Sequence, residues 1–173
     1  MTHGPIVVLH DHLDGGVRPA TVLELALRYG VSTPADDIAG LTEWMTITPD
    51  LPVTEAFGRF ELVGKVLQTS EALRRVAIEA AEDLAADGVI HAELRFAPLL
   101  HTLGGLAPAE VIAAVEAGFE AAEATTGLSA TLIVCAMRDQ PLAITDLAVD
   151  AAIDAAAGRV VGVDLAGIEM GHP

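Results

Sequence analysis

Cysteine is almost absent from this sequence. Its 173 residues contain one, Cys135, which excludes an intrachain disulfide and any zinc site built from pairs of cysteines. Cys135 lies in an apolar run, so we expect an unreactive core residue there. Because a chain without disulfides suits a reducing compartment, we expect a cytoplasmic protein.

Basic residues are also scarce. Nine lysines and arginines stand against 25 acidic residues, which gives a formal net charge of −16. A surface this negative repels phosphate backbones and anionic lipids, so neither nucleic acid nor membrane is an expected partner. A neutral small molecule fits the charge better.

Long uninterrupted apolar runs are missing, although 52% of the residues are hydrophobic and the mean hydropathy is +0.49. A membrane-spanning helix needs roughly 18 or more apolar residues in a row, and here acidic residues interrupt the apolar stretches. No basic region followed by an apolar block stands near residue 1, so we expect no secretory signal.

Short apolar runs predict strands, and apolar residues at helical spacing predict the helices between them. The strands are expected at 5–9, 89–96, 130–137 and 160–165, and the main helices at 19–29, 54–67, 70–87, 108–125 and 141–157. Thr21 and Glu24 are spaced like a capping box in the first helix. Residues 31–69 are expected to form a helical insertion, with a short helix near 36–44.

Apolar strands that alternate with helices indicate an α/β fold whose parallel sheet is covered on both faces. Two layouts fit this order: an open doubly wound sheet and part of an eight-stranded barrel. Length alone favours the open sheet, because a full barrel takes about 250 residues. No glycine-rich phosphate loop follows the first strand, and the motifs at the strand ends favour the barrel.

The segment His10-Asp11-His12-Leu13-Asp14-Gly15-Gly16 is the most informative one. Side chains alternate along a strand, so His10, His12 and Asp14 are expected on one face. Two imidazoles one pleat apart can reach a single metal ion, and nitrogen ligands suit zinc without excluding iron, cobalt or nickel. The alternative is two polar residues at a strand exit that bond backbone or water.

Four strand ends carry motifs that resemble the adenosine deaminase family. The first is the apolar-His-x-His-Leu-Asp-Gly segment at residues 6–15. The others are Ala92-Glu93-Leu94-Arg95-Phe96-Ala97-Pro98, Cys135-Ala136-Met137-Arg138 and Asp164-Leu165-Ala166-Gly167-Ile168-Glu169. They occur in the family's order and span essentially the whole chain. His-x-His alone is shared by many metal-dependent amidohydrolases, whereas the combination is much more specific.

This resemblance implies a TIM-type (β/α)₈ barrel with one zinc, of which residues 1–173 form about the first four strand-helix units as one incomplete domain. His10 and His12 match the first two zinc ligands. His12, Asp14 and Gly167 match substrate-binding positions, with Asp14 on a ribose hydroxyl and the Gly167 N–H on the purine ring. The implied reaction is hydrolytic deamination of adenosine and deoxyadenosine to inosine-type products in purine salvage.

The resemblance also implies parts that these residues lack. In the family, a later His-Ala-Gly-Glu segment carries the third zinc ligand and the general acid, and a further His and a late Asp complete the site. We therefore expect no catalytic residue within the chain and no activity from 173 residues alone. An incomplete sequence, a degraded gene and a half completed by a second chain remain open.

Several neighbours of these motifs leave more than one interpretation. Arg95 is expected to pair with a carboxylate under the site, and Glu93 shares its face. Phe57, Phe60 and Leu62 fit either an apolar flap over the nucleoside or a core stripe. His101 follows the second strand and borders either the site or the core.

Two other functions compete with adenosine deamination. A related enzyme acting on adenine or another purine would keep the same metal ligands, whereas a nucleotide substrate is disfavoured because Asp14 repels phosphate. A non-catalytic remnant or interaction module would keep the fold and bind metal weakly or not at all.

Overall fold

The computed structural model describes residues 4–172. Its four strands are β1 (Ile6–His12), β2 (Val89–Phe96), β3 (Ser129–Met137) and β4 (Val160–Ala166). Its helices are α1 (Pro19–Tyr29), α2 (Ile38–Met45), α3 (Val53–Val66), α4 (Ser70–Ala86), α5 (Pro108–Thr126) and α6 (Leu142–Asp154), with a 3-10 turn at Pro98–His101. No helix within the described range is both long and apolar enough to cross a membrane.

The strands form a single parallel sheet in the order β1-β2-β3-β4. Parallel neighbours need a crossover between them, and helices occupy each one here. On β2 the alternate residues Ala92, Leu94 and Phe96 are buried in the hydrophobic core with the helices. The opposite face of the sheet carries Glu93 and Arg95, and we call it the inner face. It leads to the candidate site at the C-terminal ends of the strands.

Helices α4 and α5 pack closely because residue 118 has no side chain. A Cβ at Gly118 would lie 2.6 Å from the Ala77 Cβ and 2.6 Å from the Arg74 carbonyl oxygen, both on α4. Val115 and Phe119, which flank Gly118 on α5, are fully buried. This contact anchors the helical layer behind β2.

Residues 31–69 contain α2 and α3, in agreement with the helices predicted there. The Asp37 side chain accepts a hydrogen bond from the Gly40 N–H at 2.8 Å and caps α2. The Arg59 guanidinium of α3 lies 4.9 Å from the centre of the Trp44 ring of α2. Their description as an insertion in one incomplete domain stays a prediction.

The predicted capping box at α1 is wrong. The N-cap is Arg18, without a side-chain cap. The Thr21 hydroxyl instead donates to Glu79 of α4 at 2.7 Å, and Glu24 forms an ion pair with Arg75 at 2.9 Å. Contacts with α4 outcompete local capping because both side chains face that helix.

Two boundaries and one short element also differ from the sequence prediction. β1 continues through the histidines to His12, and α6 ends at Asp154 rather than near Ala157. Residue 158 packs against the Glu116 side chain, which a Cβ at Gly158 would overlap. The 3-10 turn after β2 has no counterpart in the prediction, because its single turn is too short to show periodicity.

Apolar side chains of both edge strands are exposed. On β1 these are Ile6, Val7 and Leu9, with 41%, 52% and 59% exposure, and on β4 they are Val161, Val163 and Leu165, with 57%, 49% and 49%. Because β1 and β4 end the sheet, each has one backbone edge without a strand partner among residues 4–172.

Candidate metal and substrate site

The two histidines of β1 lie next to each other at the strand's C-terminal end. Their ring centres are 5.5 Å apart, with 42° between the ring planes. β1 has one extra residue between Val8 and Asp11 relative to the Ala92–Leu94 stretch of β2, so the strand bulges at this point. Leu13 is buried in the core on the other side. The histidines share a rim, while their role as ligands stays a prediction.

His12 is the more enclosed histidine, with 43% side-chain exposure. Burial lowers its pKa below the usual value, and the positive charges that His10 and Arg95 can carry lower it further. A lowered pKa favours the neutral imidazole, which is the form that binds metal.

Asp14 lies beside His12 with 14% side-chain exposure, and its Oδ1 is 3.9 Å from His12 Nδ1. That oxygen is buried without a hydrogen-bond partner among the described residues. Burial raises the Asp14 pKa to about 6, although backbone N–H groups at Asp14 and Gly15 act in the opposite direction. Asp14 therefore offers a buried acceptor to a ligand hydroxyl.

A cavity of about 480 Å³ opens beside these residues. Its lining is mainly apolar and includes His12, Asp14, Phe57, Phe60, Cys135 and Gly167. A cavity of this size and composition is typical of a small-molecule site. The structure brings three of the predicted site residues, His12, Asp14 and Gly167, to one cavity, while His10 lies on the rim beside His12.

Helix α3 supplies one wall of the cavity. The Phe60 ring meets the His12 ring edge-on at 6.2 Å, and the Phe57 ring lies 6.3 Å from that of Phe60. Both phenylalanines line the cavity, whereas Leu62 is buried in the hydrophobic core. Leu62 therefore follows the core interpretation, while the flap interpretation of Phe57 and Phe60 stays a prediction.

Glu61 and Lys65 add a charged pair to the same wall. Lys65 Nζ lies 2.7 Å from Glu61 Oε1, and both side chains are more than half exposed. Sequence reasoning missed this pair as part of the site, although its i,i+4 spacing beside Phe57 and Phe60 is a readable signal.

Gly167 follows β4 and has a φ of +100°, a conformation that disfavours any residue with a side chain. A Cβ there would also come within 3.0 Å of Asp139 Oδ1. Arg138 steadies this loop by donating hydrogen bonds of 3.3 Å to the carbonyls of Leu165 and His172. Glu169 is 81% exposed and lies 3.6 Å from Arg138.

Arg95 has a carboxylate partner, but it is Asp164 of β4 rather than Glu93. The pair crosses β3 on the inner face of the sheet, and Arg95 is 11% exposed. Glu93 lies one pleat below Arg95, whereas Asp164 lies nearer the C-terminal rim that a long arginine side chain reaches. The sequence predicted that Arg95 pairs with a carboxylate but did not identify Asp164 as that carboxylate.

Cys135 and His101 complete the neighbourhood. Cys135 is 3% exposed and lines the cavity, and burial raises its pKa to about 12, so the thiol stays protonated and unreactive. His101 is 1% exposed and stacks behind Phe96, outside the cavity lining.

The donor set for a metal is partial. Within residues 4–172 no group of three or more His, Cys, Asp or Glu side chains is arranged to hold an ion. His10 and His12 offer two nitrogen donors, while a catalytic zinc site typically has three protein ligands. The residues present therefore fit one side of a zinc site.

Residues 5–173 match the sequence profile of the family described as adenosine deaminase. The chain belongs to this family. The adenosine deaminases of Mycobacterium leprae (strain TN) and Mycobacterium sp. (strain KMS) are 46% and 44% identical over 176 and 180 residues. These alignments cover 98% and 100% of this chain but 48% and 49% of the relatives. The chain spans about half the length of the curated relatives it matches.

Solved structures agree on the fold. An adenine deaminase from Arthrobacter aurescens superposes with a TM-score of 0.83 at 29% identity, over 99% of this chain and 51% of its own. An amidohydrolase from Burkholderia ambifaria with bound Zn gives 0.82 at 29% identity, over 98% and 46%. Arabidopsis ADAL complexed with GMP gives 0.78 at 26% identity, over 94% and 49%. The four strands and the helices between them thus match about half of a TIM-barrel amidohydrolase, and the predicted fold is confirmed.

Proposed function

We propose that this chain supplies the first half of a zinc-dependent enzyme that deaminates adenosine and deoxyadenosine hydrolytically in purine salvage. The observation that carries the proposal is the position of His12 and Asp14 on the wall of an apolar cavity of about 480 Å³, with His10 on its rim. An apolar cavity with a few polar groups on one side suits a nucleoside. The cytoplasm is the proposed place of action, because the sequence has a single cysteine.

His10 and His12 would hold the zinc through their ring nitrogens. When bound, zinc supplies the activation of the attacking water. The lowered pKa of His12 keeps its lone pair available for this role at neutral pH. In this proposal the third protein ligand comes from beyond the described residues 4–172.

Asp14 and Gly167 would orient the nucleoside. The unpartnered Asp14 oxygen accepts a hydrogen bond from a ribose hydroxyl, which also removes the cost of an unsatisfied buried acceptor. The N–H of Gly167 donates to the purine ring, and the absence of a Cβ allows that approach. Phe57 and Phe60 cover the base and exclude water.

The general acid and the remaining metal ligands belong to the half of the barrel that these 173 residues do not include. A further stretch of the same polypeptide is our preferred source, because the relatives are about twice as long. A second chain that completes the barrel is the alternative. In both cases we expect no turnover from residues 1–173 alone.

Adenine is the second candidate substrate, because the adenine deaminase of Arthrobacter aurescens is among the most similar solved structures. Asp14 distinguishes adenosine from adenine, because adenine has no ribose hydroxyl to donate a hydrogen bond to the Asp14 carboxylate. Nucleotides such as the GMP bound by Arabidopsis ADAL fit less well, because Asp14 and Glu61 would face the phosphate while Lys65 is engaged by Glu61.

The test uses the complete gene product that carries this sequence. We expect about one zinc per site and faster turnover of adenosine than of adenine or AMP. His10→Ala and His12→Ala should each lower the bound zinc and reduce kcat/KM by at least about a hundredfold, as loss of a group acting directly at the reacting centre does. His172→Ala, an exposed position, is the control.

Two results would contradict the proposal. One is adenosine turnover that survives both histidine substitutions. The other is a protein that turns over adenine and ignores adenosine, which would leave the metal site intact and move the assignment to the second candidate.

A further inference from the structure

His101 is buried behind the cavity wall and makes one polar contact. Its Nδ1 lies 3.0 Å from the carbonyl oxygen of Leu67, the C-cap residue of α3. A carbonyl can only accept, so Nδ1 carries the proton and Nε2 carries a lone pair. Nε2 is buried and finds no partner within the described part of the chain. Burial lowers the His101 pKa to about 4, which keeps the ring neutral.

Gln68 bridges the same two segments in the other direction. Its side-chain amide donates to the carbonyls of Gly64 at 2.6 Å and Leu100 at 2.9 Å. Its Oε1 accepts from the Gly104 N–H at 3.0 Å. A Cβ on Gly104 would overlap the Gln68 carbonyl oxygen, so the backbones approach as closely as a glycine allows.

These contacts join the C-terminal end of α3 to the loop 97–105, which we call the β2 loop. Both segments line the cavity, α3 through Phe57 and Phe60 and the β2 loop through Leu100 and Leu103. Residues 53–55, at the start of α3, are exposed. The orientation of the helix therefore depends on how its other end is held.

We propose that His101 and Gln68 are positioning residues that fix α3 to the β2 loop. By doing so they set the distance between His12 and the rings of Phe57 and Phe60 on α3. The choice of a nucleoside as the ligand rests on the proposed function. The positioning role rests on the observed contacts of His101 and Gln68. His101 does not contact the substrate, because it lies outside the cavity lining. Gln68 lines the cavity, but each of its hydrogen bonds goes to the main chain, so its role is also one of positioning.

Two substitutions at His101 separate hydrogen bonding from packing. His101→Phe keeps a ring against Phe96 and removes the donor, whereas His101→Asn removes the ring and keeps an N–H donor near the Nδ1 position. Thr102→Val is the matched control. Its hydroxyl donates to Leu99 inside the β2 loop at 2.9 Å and does not reach α3.

Three measurements on the complete gene product report on the link. Amide hydrogen exchange at Gly104 reports on its bond to Gln68. Emission from Trp44, the only tryptophan among residues 1–173, reports on α3 through the stacked Arg59 once any tryptophan elsewhere in the gene product has been replaced by phenylalanine. The dissociation constant for inosine reports on the cavity.

We expect His101→Phe to speed Gly104 exchange, shift Trp44 emission and weaken inosine binding by about tenfold, the equivalent of one lost hydrogen bond. His101→Asn should restore all three toward the wild type, and Thr102→Val should change none of them. The inference is overturned if His101→Phe behaves like Thr102→Val, or if Asn restores nothing while both His101 variants unfold at the same temperature.

Failure of the proposed function would look different. In that case the wild-type protein binds no inosine. The amide exchange of Gly104 and the emission of Trp44 then test the positioning role of His101 without the binding measurement. Faster exchange and shifted emission in His101→Phe, absent in His101→Asn, support the positioning role, and unchanged values in both variants overturn it.

Discussion

At the scale of single residues, Asp14 connects stability with binding. Its pKa is about 6 in the folded protein because the carboxyl is buried, whereas the pKa of an unfolded aspartate is about 3.9. Between these values the folded state binds more protons than the unfolded state, so stability falls as pH rises through this window. Above pH 6 the protein holds a charged, poorly solvated carboxylate at its cavity.

Asp14→Asn should therefore stabilise the protein at pH 7.5 by roughly 1–3 kcal/mol. The gain should be nearly gone at about pH 4, where Asp14 is protonated in the folded state and about half protonated in the unfolded state. Urea unfolding at the two pH values measures this difference. Asp146→Asn, on the exposed side of α6, is the control for removing one charge from an acidic protein.

The same variant should bind adenosine less tightly, because the amide presents a weaker acceptor to the ribose hydroxyl than a carboxylate does. A destabilised Asp14→Asn protein at pH 7.5 would show that an unseen partner already satisfies the carboxylate.

At the scale of elements, the contact between α4 and α5 depends on a position without a side chain. Gly118→Ala would place its Cβ 2.6 Å from the Ala77 Cβ and force the two helices apart. We expect a loss of about 1–3 kcal/mol of unfolding free energy, the usual range for overpacking. Denaturant unfolding monitored by circular dichroism measures it.

Gly58→Ala is the matched control within a helix. Apart from its chain neighbours and the nearby backbone of α3, no atom lies within 4 Å of the added Cβ, so the better helix propensity of alanine should stabilise the protein by about 0.5–1 kcal/mol. Equal effects of the two substitutions would mean that the α4–α5 approach does not depend on Gly118.

The elements also differ in how well the sequence predicts them. β2 and the start of α5 follow their apolar patterns to the residue, because flanking prolines and glycines give local stops. The capping box at Thr21 and the last turn of α6 fail for the same physical reason. Glu79 and Glu116 belong to other helices, and a contact across the fold leaves no trace in local spacing.

The site follows a similar division. Alternation along β1 predicts that His10 and His12 stand on one rim, and the structure has them so. The partner of Arg95 is Asp164, 69 residues later, and only the assembled sheet brings them together. Gln68 and Leu100 line the cavity for the same reason.

At the scale of the whole molecule, the sheet has apolar side chains exposed on both edge strands. Val161 and Val163 on β4 are 57% and 49% exposed. Residues 1–173 in isolation should therefore self-associate and bind a hydrophobic dye, because open edges and apolar patches both favour association.

Replacing both valines by threonine keeps the β-branched shape and lowers the apolar area. We expect clearly reduced dye fluorescence and a smaller associated fraction in sedimentation. Leu27→Gln changes an isolated exposed leucine on α1 and should alter neither signal. A wild-type chain of 173 residues that sediments as a monomer and binds no dye would contradict this prediction.

Lys65, paired with Glu61 at the mouth of the cavity, is the only lysine in the chain. Reagents that acylate primary amines thus have one side-chain target among these 173 residues, and that target lines the opening of the cavity. If residues 1–173 are coupled to a sensor surface through their amines, many molecules will be attached through Lys65. The surface will then block the cavity in those molecules and lower the measured ligand response. A fluorophore placed there by the same chemistry would instead respond to occupancy.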